Sequence, residues 1–183
     1  MRVRQANLSD VAAMARVGVD SFLAAHKGQI PEPVYQWRKE QWTYAESAQG
    51  WERLLHEIAD GTNPYACVYV AEGESAEIIG LGMAELAASD ATGTIGEVYV
   101  LYVHPAYQRQ GAGRRLVEAI ARHLSERGIT RLHIKVLKAN TPARRFYEAL
   151  GGQVIGECEV EEEGILLPEV VYGWSDIGVL VSD

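Results

Sequence analysis

The 183-residue chain has few of the residues from which several classes of site are built. Its two cysteines, Cys67 and Cys158, are isolated in sequence from each other and from the five histidines. Neither a disulfide framework nor a zinc-ligand spacing can be built from such a set. We therefore predict no metal site, and we expect both thiols to be small, buried, apolar groups.

Long hydrophobic runs and an excess of basic residues are also missing. No window approaches eighteen consecutive apolar residues, and the start MRVRQANLSD has no apolar segment, so we expect neither a membrane span nor a secretory signal. Seventeen basic against twenty-five acidic residues give a formal net charge of -8, which disfavours nucleic acid and anionic membranes as partners. The sequence thus predicts a cytoplasmic protein without either partner.

The residues that are present predict one compact domain over residues 1–183. Hydrophobic residues make up 48% of the chain, which is enough for a substantial core. Helical spacing of apolar residues appears in SDVAAMARVGVDSFLAAH and again in YAESAQGWERLLHEIADG, whereas residues 31–42 between them carry two prolines and are assigned no helix. Three strand-like runs follow, YACVYVAEG, EIIGLGMAELA and TIGEVYVLYVH, and indicate an antiparallel meander.

A strand, a helix and a strand then follow one another closely. The stripe Gly113, Leu116, Val117, Ile120 and Leu124 predicts a helix, and the strand TRLHIKVL comes directly after Gly128. Such a unit makes its two strands parallel, with a right-handed crossover. The glycines of QRQGAG, residues 108–113, therefore lie where a strand ends and a helix begins.

The chemistry of this glycine-rich junction is ambiguous from spacing alone. Helix N-termini expose unpaired N–H groups, so glycines and the arginines at 109, 114 and 115 suit a phosphate. A glycine-rich turn with solvated arginines explains the spacing equally well. No lysine follows the glycines, which argues against a P-loop, and a third glycine is missing, which argues against a dinucleotide-binding GxGxxG motif.

In its context, the junction resembles a known signature. Gln108-Arg109-Gln110-Gly111-Ala112-Gly113 after LYVHP is similar to the acyl-CoA motif Q/R-x-x-G-x-G/A of the GCN5-related N-acetyltransferase (GNAT) family. The segment ANTPARRFYEALGG, residues 139–152, resembles the family's second motif. The order of elements fits from residue 2 to about residue 175, so the resemblance covers nearly the whole chain.

The resemblance implies an α+β fold: a mixed, mostly antiparallel, splayed sheet of six to seven strands flanked by four helices. It also implies acetyl-CoA as acyl donor, held by the opening between the strand matching Glu97–Val103 and the strand matching Leu132–Leu137. The cofactor contacts implied are main-chain groups of Leu101, Tyr102 and Val103, the pyrophosphate wrap of Gln108, Arg109, Gln110, Gly111, Ala112, Gly113 and Arg114, and the side chains of Asn140, Arg144 and Tyr147.

Two residues are implied as catalytic. Tyr147 matches the tyrosine that often protonates the departing CoA thiolate, although a tyrosine at the border of a helical apolar stripe also commonly packs its ring. Glu97 interrupts an apolar strand and matches the position of a carboxylate that draws the amine proton through water, although at a strand start it also suits simple solvent exposure. The oxyanion partner expected is a backbone N–H near Tyr102 or Val103.

The acceptor is the least constrained part of the reaction. The family's acceptors enter beside segments corresponding to residues 26–44 and 157–170. An acidic, aromatic rim in these segments suits a cationic amine. A solvated hairpin explains the glutamates equally well, and buried anchors explain the tryptophans better. We expect acetyl transfer to a small primary amine, with a protein N-terminal or lysine acetyltransferase and a non-catalytic acyl-CoA sensor as alternatives. A homodimer through the C-terminal strands is a further expectation from the resemblance.

Overall fold

The computed structural model describes residues 1–88, 90 and 92–181. Seven strands form one sheet in the order β1-β2-β3-β4-β5-β7-β6. The strands are β1 Arg2–Gln5, β2 Cys67–Glu72, β3 Ile78–Leu86, β4 Ile95–Val103, β5 Arg131–Leu137, β6 Gln153–Glu162 and β7 Ile165–Trp174. The helices are α1 Val11–His26, α2 Glu32–Gln41, α3 Tyr44–Ala59, α4 Ala112–Ser125 and α5 Thr141–Ala149.

Every neighbouring pair in this sheet is antiparallel except β4 and β5. Helix α4 connects these two strands, and two neighbouring parallel strands need a crossover connection of this kind. The predicted mixed, mostly antiparallel α+β sheet is therefore confirmed. The only parallel contact among the described strands also brings the loop before α4 to the end of β4.

The number of helices differs from the prediction, because residues 31–42 contain α2. Both prolines precede or open this helix, where a missing N–H costs no intrahelical hydrogen bond. Val34, its one buried residue, packs with Ile30 and Leu167. The prolines and the polar composition concealed the helix, which is held by contacts with residues distant in sequence, including Leu167 of β7. None of the described helices is long and apolar enough to cross a membrane.

The helices cover both faces of the sheet. On one face, α4 buries Leu116, Val117, Ile120 and Leu124, the stripe predicted from the sequence. On the other face, α1 and α3 cover β2 and β3 with buried side chains such as Met14 and Leu55. Each fully buried leucine contributes roughly 1.5–3 kcal/mol of transfer free energy, so both layers hold the sheet in place.

Helix α4 approaches the sheet closely because small residues of β4 and β3 lie beneath it. A Cβ atom added to Gly96 would lie 2.6 Å from Leu124 Cδ1, and one added to Gly82 would lie 2.8 Å from Ile120 Cδ1. A larger side chain at either position would require Leu124 or Ile120 to shift. The close contact places the C-terminal half of α4 against the start of β4 and against β3.

Candidate active site

The sheet opens between β4 and β5. The two strands pair from Ile95 with Arg131 to Val98 with Ile134, and beyond that point β5 continues to pair only with β7. The register between β3 and β4 shifts at the same place, because Met83 faces Val100 while Ala84 faces Val98. Tyr99 is therefore the extra residue of a β-bulge, which bends β4 away from β5. The expected splay of the sheet is confirmed.

Main-chain groups of β4 line this opening. His104 N–H donates to Ile79 O of β3 at 2.8 Å. Because main-chain groups of a strand alternate between its two edges, those of Tyr102 also point to β3. Those of Leu101 and Val103 point to the opposite edge, into the opening. Leu101 and Val103 therefore offer donors and acceptors to an extended ligand, as an added strand would use them.

The loop before α4 has a backbone suited to an anion. Arg109 and Gly111 both have positive φ angles, 64° and 89°, and Gly111 is the N-cap of α4. A left-handed backbone is uncommon for an arginine, so the loop holds Arg109 in a conformation that L-residues seldom adopt. Alternating backbone conformations at a helix start aim successive N–H groups at one point. The loop thus combines two anion-binding devices, a concave backbone and a helix N-terminus.

Two glutamine side chains of this loop donate to nearby main-chain carbonyl groups, and an arginine side chain at its end stays exposed to solvent. Gln108 Nε2 donates to Val103 O at 3.1 Å, and Gln110 Nε2 to Ala106 O at 3.4 Å. The Arg114 side chain is 57% exposed, with its guanidinium 4.0 Å from Glu118. Gly113 is required by packing, since an added Cβ atom would lie 3.1 Å from the Phe146 ring.

The N-terminus of α5 lies on the β5 side of the opening. Asn140 is its N-cap, and its side-chain oxygen accepts from Ala143 N–H at 3.3 Å, which leaves its amide NH₂ group for other partners. The Arg144 side chain has partners within the protein instead: its guanidinium donates to Tyr172 Oη on β7 at 3.2 Å and to Lys138 O at 3.3 Å. Strand β7 lies beyond β5, on the side away from β4. A role for Arg144 toward the cofactor stays a prediction.

Tyr147 is more deeply placed than its position on the border of the helical stripe suggested. It is 6% exposed, and its ring packs 5.8 Å from Tyr172 and 6.5 Å from Trp174, centroid to centroid. Among the described residues, its hydroxyl has no hydrogen-bond partner. Burial, and secondarily Tyr102, raise the pKa of Tyr147, so the phenol stays protonated through neutral pH.

Glu97 lies on the opposite face of the sheet, at the apex of the opening. It is 4% exposed, so the reading in which it simply meets solvent does not hold. A buried carboxylate needs compensation, and Lys135 Nζ of β5 supplies it at 2.8 Å from Glu97 Oε1. Both residues line a cavity of about 370 Å³.

Three residues of this cavity were missed from the sequence. Besides Lys135, the cavity is lined by Cys158 and Glu169, whose Sγ and Oε2 atoms lie 3.7 Å apart. Burial raises the pKa of the Glu169 carboxyl. Cys158 is only half-buried, unlike Cys67, so the expectation of two buried thiols is wrong for Cys158. Only Lys135 could have been expected on this face, because the parallel pairing of β4 with β5 puts the odd-numbered residues of β5 on the same face as Glu97.

Residues of the β6–β7 hairpin line the cavity, and helix α2 contacts this hairpin. That the acceptor enters beside these segments stays a prediction. The Arg38 guanidinium pairs with the Glu162 carboxylate, with Nε 2.9 Å from Oε2, and stacks 5.8 Å from the Phe22 ring centroid. Trp42 packs edge-on against Phe22 at 5.2 Å and is partly buried, whereas Trp37 is exposed. Glu157 pairs with Lys138 at 2.9 Å.

Together these features describe a site with two entrances. A phosphate cradle and a strand edge serve one ligand, and a carboxylate-lined cavity on the other face serves a second. In the part of the chain that the structure describes, no three His, Cys, Asp or Glu side chains form a group that could hold a metal ion. The cradle and the free edge of β4 fit an elongated, phosphate-bearing thioester such as acetyl-CoA, and Tyr147 lies near its expected reacting end.

Comparison with known proteins agrees with this geometry. The model of the family described as Acetyltransferase (GNAT) family matches residues 32–152. The chain is 30% identical over 178 residues to the protein named Uncharacterized N-acetyltransferase YuaI of Bacillus subtilis (strain 168), covering 97% of this chain and 95% of that protein.

Solved structures share the fold. The yncA acetyltransferase of Salmonella typhimurium, solved with its cofactor acetyl-CoA, superposes with a TM-score of 0.70 at 21% identity, covering 95% of this chain and 92% of that one. A ribosomal-protein-alanine N-acetyltransferase of Brucella melitensis gives a TM-score of 0.71 at 18% identity, covering 95% and 99%. From the family match, the full-length relative and the shared fold, the chain belongs to the GNAT family and is an N-acetyltransferase.

Proposed function

We propose that this protein moves an acetyl group directly from acetyl-CoA to a primary amine of a small molecule. The observation that carries the proposal is the opening between β4 and β5, which has Glu97 on one face of the sheet and Tyr147 on the other. A donor bound along β4 would then meet an acceptor entering from the cavity. Direct transfer needs no nucleophilic side chain, only a proton acceptor and a proton donor.

Each part of the proposed site would have a separate role in the reaction. The 108–113 loop and Arg114 hold the pyrophosphate, and Leu101 and Val103 align the pantetheine arm. Glu97 receives the proton of the amine, directly or through water, as the new C–N bond forms. A backbone N–H at the edge of β4, that of Val103, stabilises the oxyanion. Tyr147 protonates the sulfur as the C–S bond breaks, and its hydroxyl is free of protein partners among the described residues.

The size of the cavity favours a small acceptor over a protein. A volume of about 370 Å³ is near the lower end of the range of small-molecule sites. The Arg38–Glu162 pair also ties α2 to the hairpin across the acceptor face. A polypeptide substrate would need an open groove in that place. Three carboxylates against one ammonium, those of Glu97, Glu159 and Glu169 against Lys135, suit a cationic amine.

An acceptor panel tests the proposal. Release of CoA thiol from acetyl-CoA is measured with small mono- and diamines, free amino acids, and peptides carrying an α-amine or a lysine side chain. We expect turnover with a subset of the small amines and little with peptides. Turnover of peptides alone would replace the proposal with a protein acetyltransferase. Stabilisation by acetyl-CoA without release of thiol from any acceptor would replace it with an acyl-CoA sensor.

A further inference from the structure

The Glu97–Lys135 ion pair spans the point at which β4 and β5 separate. Val98 and Ile134 are the last residues of the two strands that pair with each other. Glu97 precedes this point on β4, and Lys135 follows it on β5. Their 2.8 Å contact therefore joins the two sides of the opening at its apex. No family motif described above includes Lys135.

Glu97 has other ionisable groups on several sides. Glu85 of β3 lies directly opposite Glu97 in the register, and Glu169 lies across the cavity. Burial lowers the pKa of His133, the neighbour of Glu97 on β5, so this imidazole adds little positive charge at neutral pH. Other ionisable groups that line the cavity are Tyr99, Cys158 and Glu159.

Lys135 is the one cation within ion-pair distance of Glu97 among the described residues. A carboxyl that is out of water and near other carboxylates tends to hold its proton, and a protonated carboxyl cannot accept one from an amine. We propose that Lys135 is a positioning residue that keeps Glu97 ionised and fixed at the apex of the opening. The inference rests on the proposed function, since it concerns the group that receives the amine proton.

Stability alone gives little reason for this pair. Taking a carboxylate out of water costs free energy, and a well-packed apolar residue in the same place is commonly as stable or more so. The Glu97 side chain is 5% exposed, whereas that of Lys135 is 43% exposed and lies in the cavity wall. A charge maintained inside a reaction cavity therefore points to chemistry.

The test is the pH dependence of kcat/KM for K135M, with an acceptor identified by the panel. We expect the acidic limb of the profile to move up by about one pH unit or more, so that activity near pH 6 falls about tenfold and activity near pH 9 stays within about twofold. K135R keeps the charge and should keep the profile. K138M is the control, because Lys138 forms a similar ion pair with Glu157, at 2.9 Å, and neither residue lines the cavity.

An unchanged profile in K135M, or a loss of activity that is equal at all pH values, would overturn the proposal. Circular dichroism checks the fold of each variant, and K135Q replaces K135M if the latter does not fold.

A second measurement does not need turnover: ¹³C NMR of glutamate-labelled protein follows the Glu97 carboxyl, assigned by comparison with E97Q. Its proton uptake should move to higher pH in K135M, and identical titration in wild type and K135M would overturn the proposal. Failure of the wild type to acetylate any amine would refute the proposed function alone.

Discussion

At the scale of single residues, the two catalytic candidates are distinguished by their surroundings. Tyr147 is enclosed by aromatic rings on the α4–α5 side of the sheet, and Glu97 is enclosed by charges on the other. Burial raises the pKa of the Tyr147 phenol, and the Glu97 carboxylate has the Lys135 ammonium beside it. The two environments differ in the way that the proposed roles of an acid and a base require.

Replacing Tyr147 with phenylalanine should remove the acid and keep most of the packing. We expect Y147F to lower kcat about tenfold to a thousandfold with little change in KM for acetyl-CoA. Because burial raises the pKa of Tyr147, the wild type should show no loss of this acid on the alkaline side up to at least the usual tyrosine range, about pH 10. Y69F is the control, since Tyr69 is partly buried and lies on β2, outside the proposed site. Wild-type kcat in Y147F would remove the tyrosine from the acid role.

Replacing Glu97 with glutamine should remove the base. Steady-state kinetics from pH 6 to pH 9 should give a kcat/KM about a hundredfold lower than wild type at neutral pH, with partial recovery at alkaline pH, where the free amine itself is more abundant. E126Q, an exposed change at the end of α4, is the control. Full neutral and alkaline rates in E97Q would contradict the assignment.

At the scale of elements, the loop before α4 depends on its backbone. G111A forces a Cβ atom into a left-handed conformation with φ of 89°, at a cost of about 1–2 kcal/mol. We expect KM for acetyl-CoA to rise at least several-fold as the loop relaxes. G61A imposes comparable strain, with φ of 78°, after α3 and away from the loop. An equal effect of both variants on KM would show that the loop conformation does not matter for cofactor binding.

The contact between α2 and the hairpin is held by an ion pair across 124 residues of sequence. A double-mutant cycle of R38M and E162Q, measured by urea unfolding, should give a coupling free energy of about 1 kcal/mol, because both side chains are partly buried, at 29% and 20% exposure. The exposed pair Lys138–Glu157 should give a value near zero. Equal coupling in the two pairs would mean that the Arg38–Glu162 pair stabilises the fold no more than an exposed ion pair does.

At the scale of the whole molecule, stability in acid depends on a charged cluster that ties β1 to the turn before α1. The Arg4 guanidinium binds both oxygens of Asp10, at 2.7 and 2.8 Å. This contact holds the pKa of Asp10 below its ordinary value despite burial. A lowered carboxyl pKa stabilises the fold above the unfolded value of about 4, and that stability is lost as the pH falls further.

Urea unfolding at pH 7 and pH 3 tests this contribution. The wild type should lose more free energy of unfolding than D10N between the two values, because D10N has no carboxylate to protonate there. E40Q, an exposed change in α2, should lose as much as the wild type. Equal losses in the wild type and D10N would show that another carboxylate governs acid unfolding.

Assembly belongs to the same scale. Strand β6 is an edge of the sheet, and it carries the exposed apolar residues Val154 and Ile155. An edge of this kind is able to pair with another chain. A homodimer through the C-terminal strands stays a prediction, which light scattering of the purified protein would decide.

From the sequence alone we could predict the order of the elements apart from α2, the parallel β4–α4–β5 unit, the glycine-rich junction at residues 108–113 and the family. These depend on local signals: the period of apolar residues, glycines at turns, and motifs of a few adjacent residues. Tyr147 was proposed from such a motif and Glu97 from its place in an apolar strand, and both roles stay predictions.

Only the tertiary structure decided what surrounds those residues. The Lys135 partner of Glu97, the enclosure of Tyr147, the turn of Arg144 toward β7 and the existence of α2 all depend on contacts between residues distant in sequence. Burial and charge pairing arise when strands and helices meet, and a single sequence carries no record of which distant side chains face each other. For this reason the motifs identified the reaction class, whereas only the packing shows what surrounds the proposed acid, the proposed base and the proposed acceptor cavity.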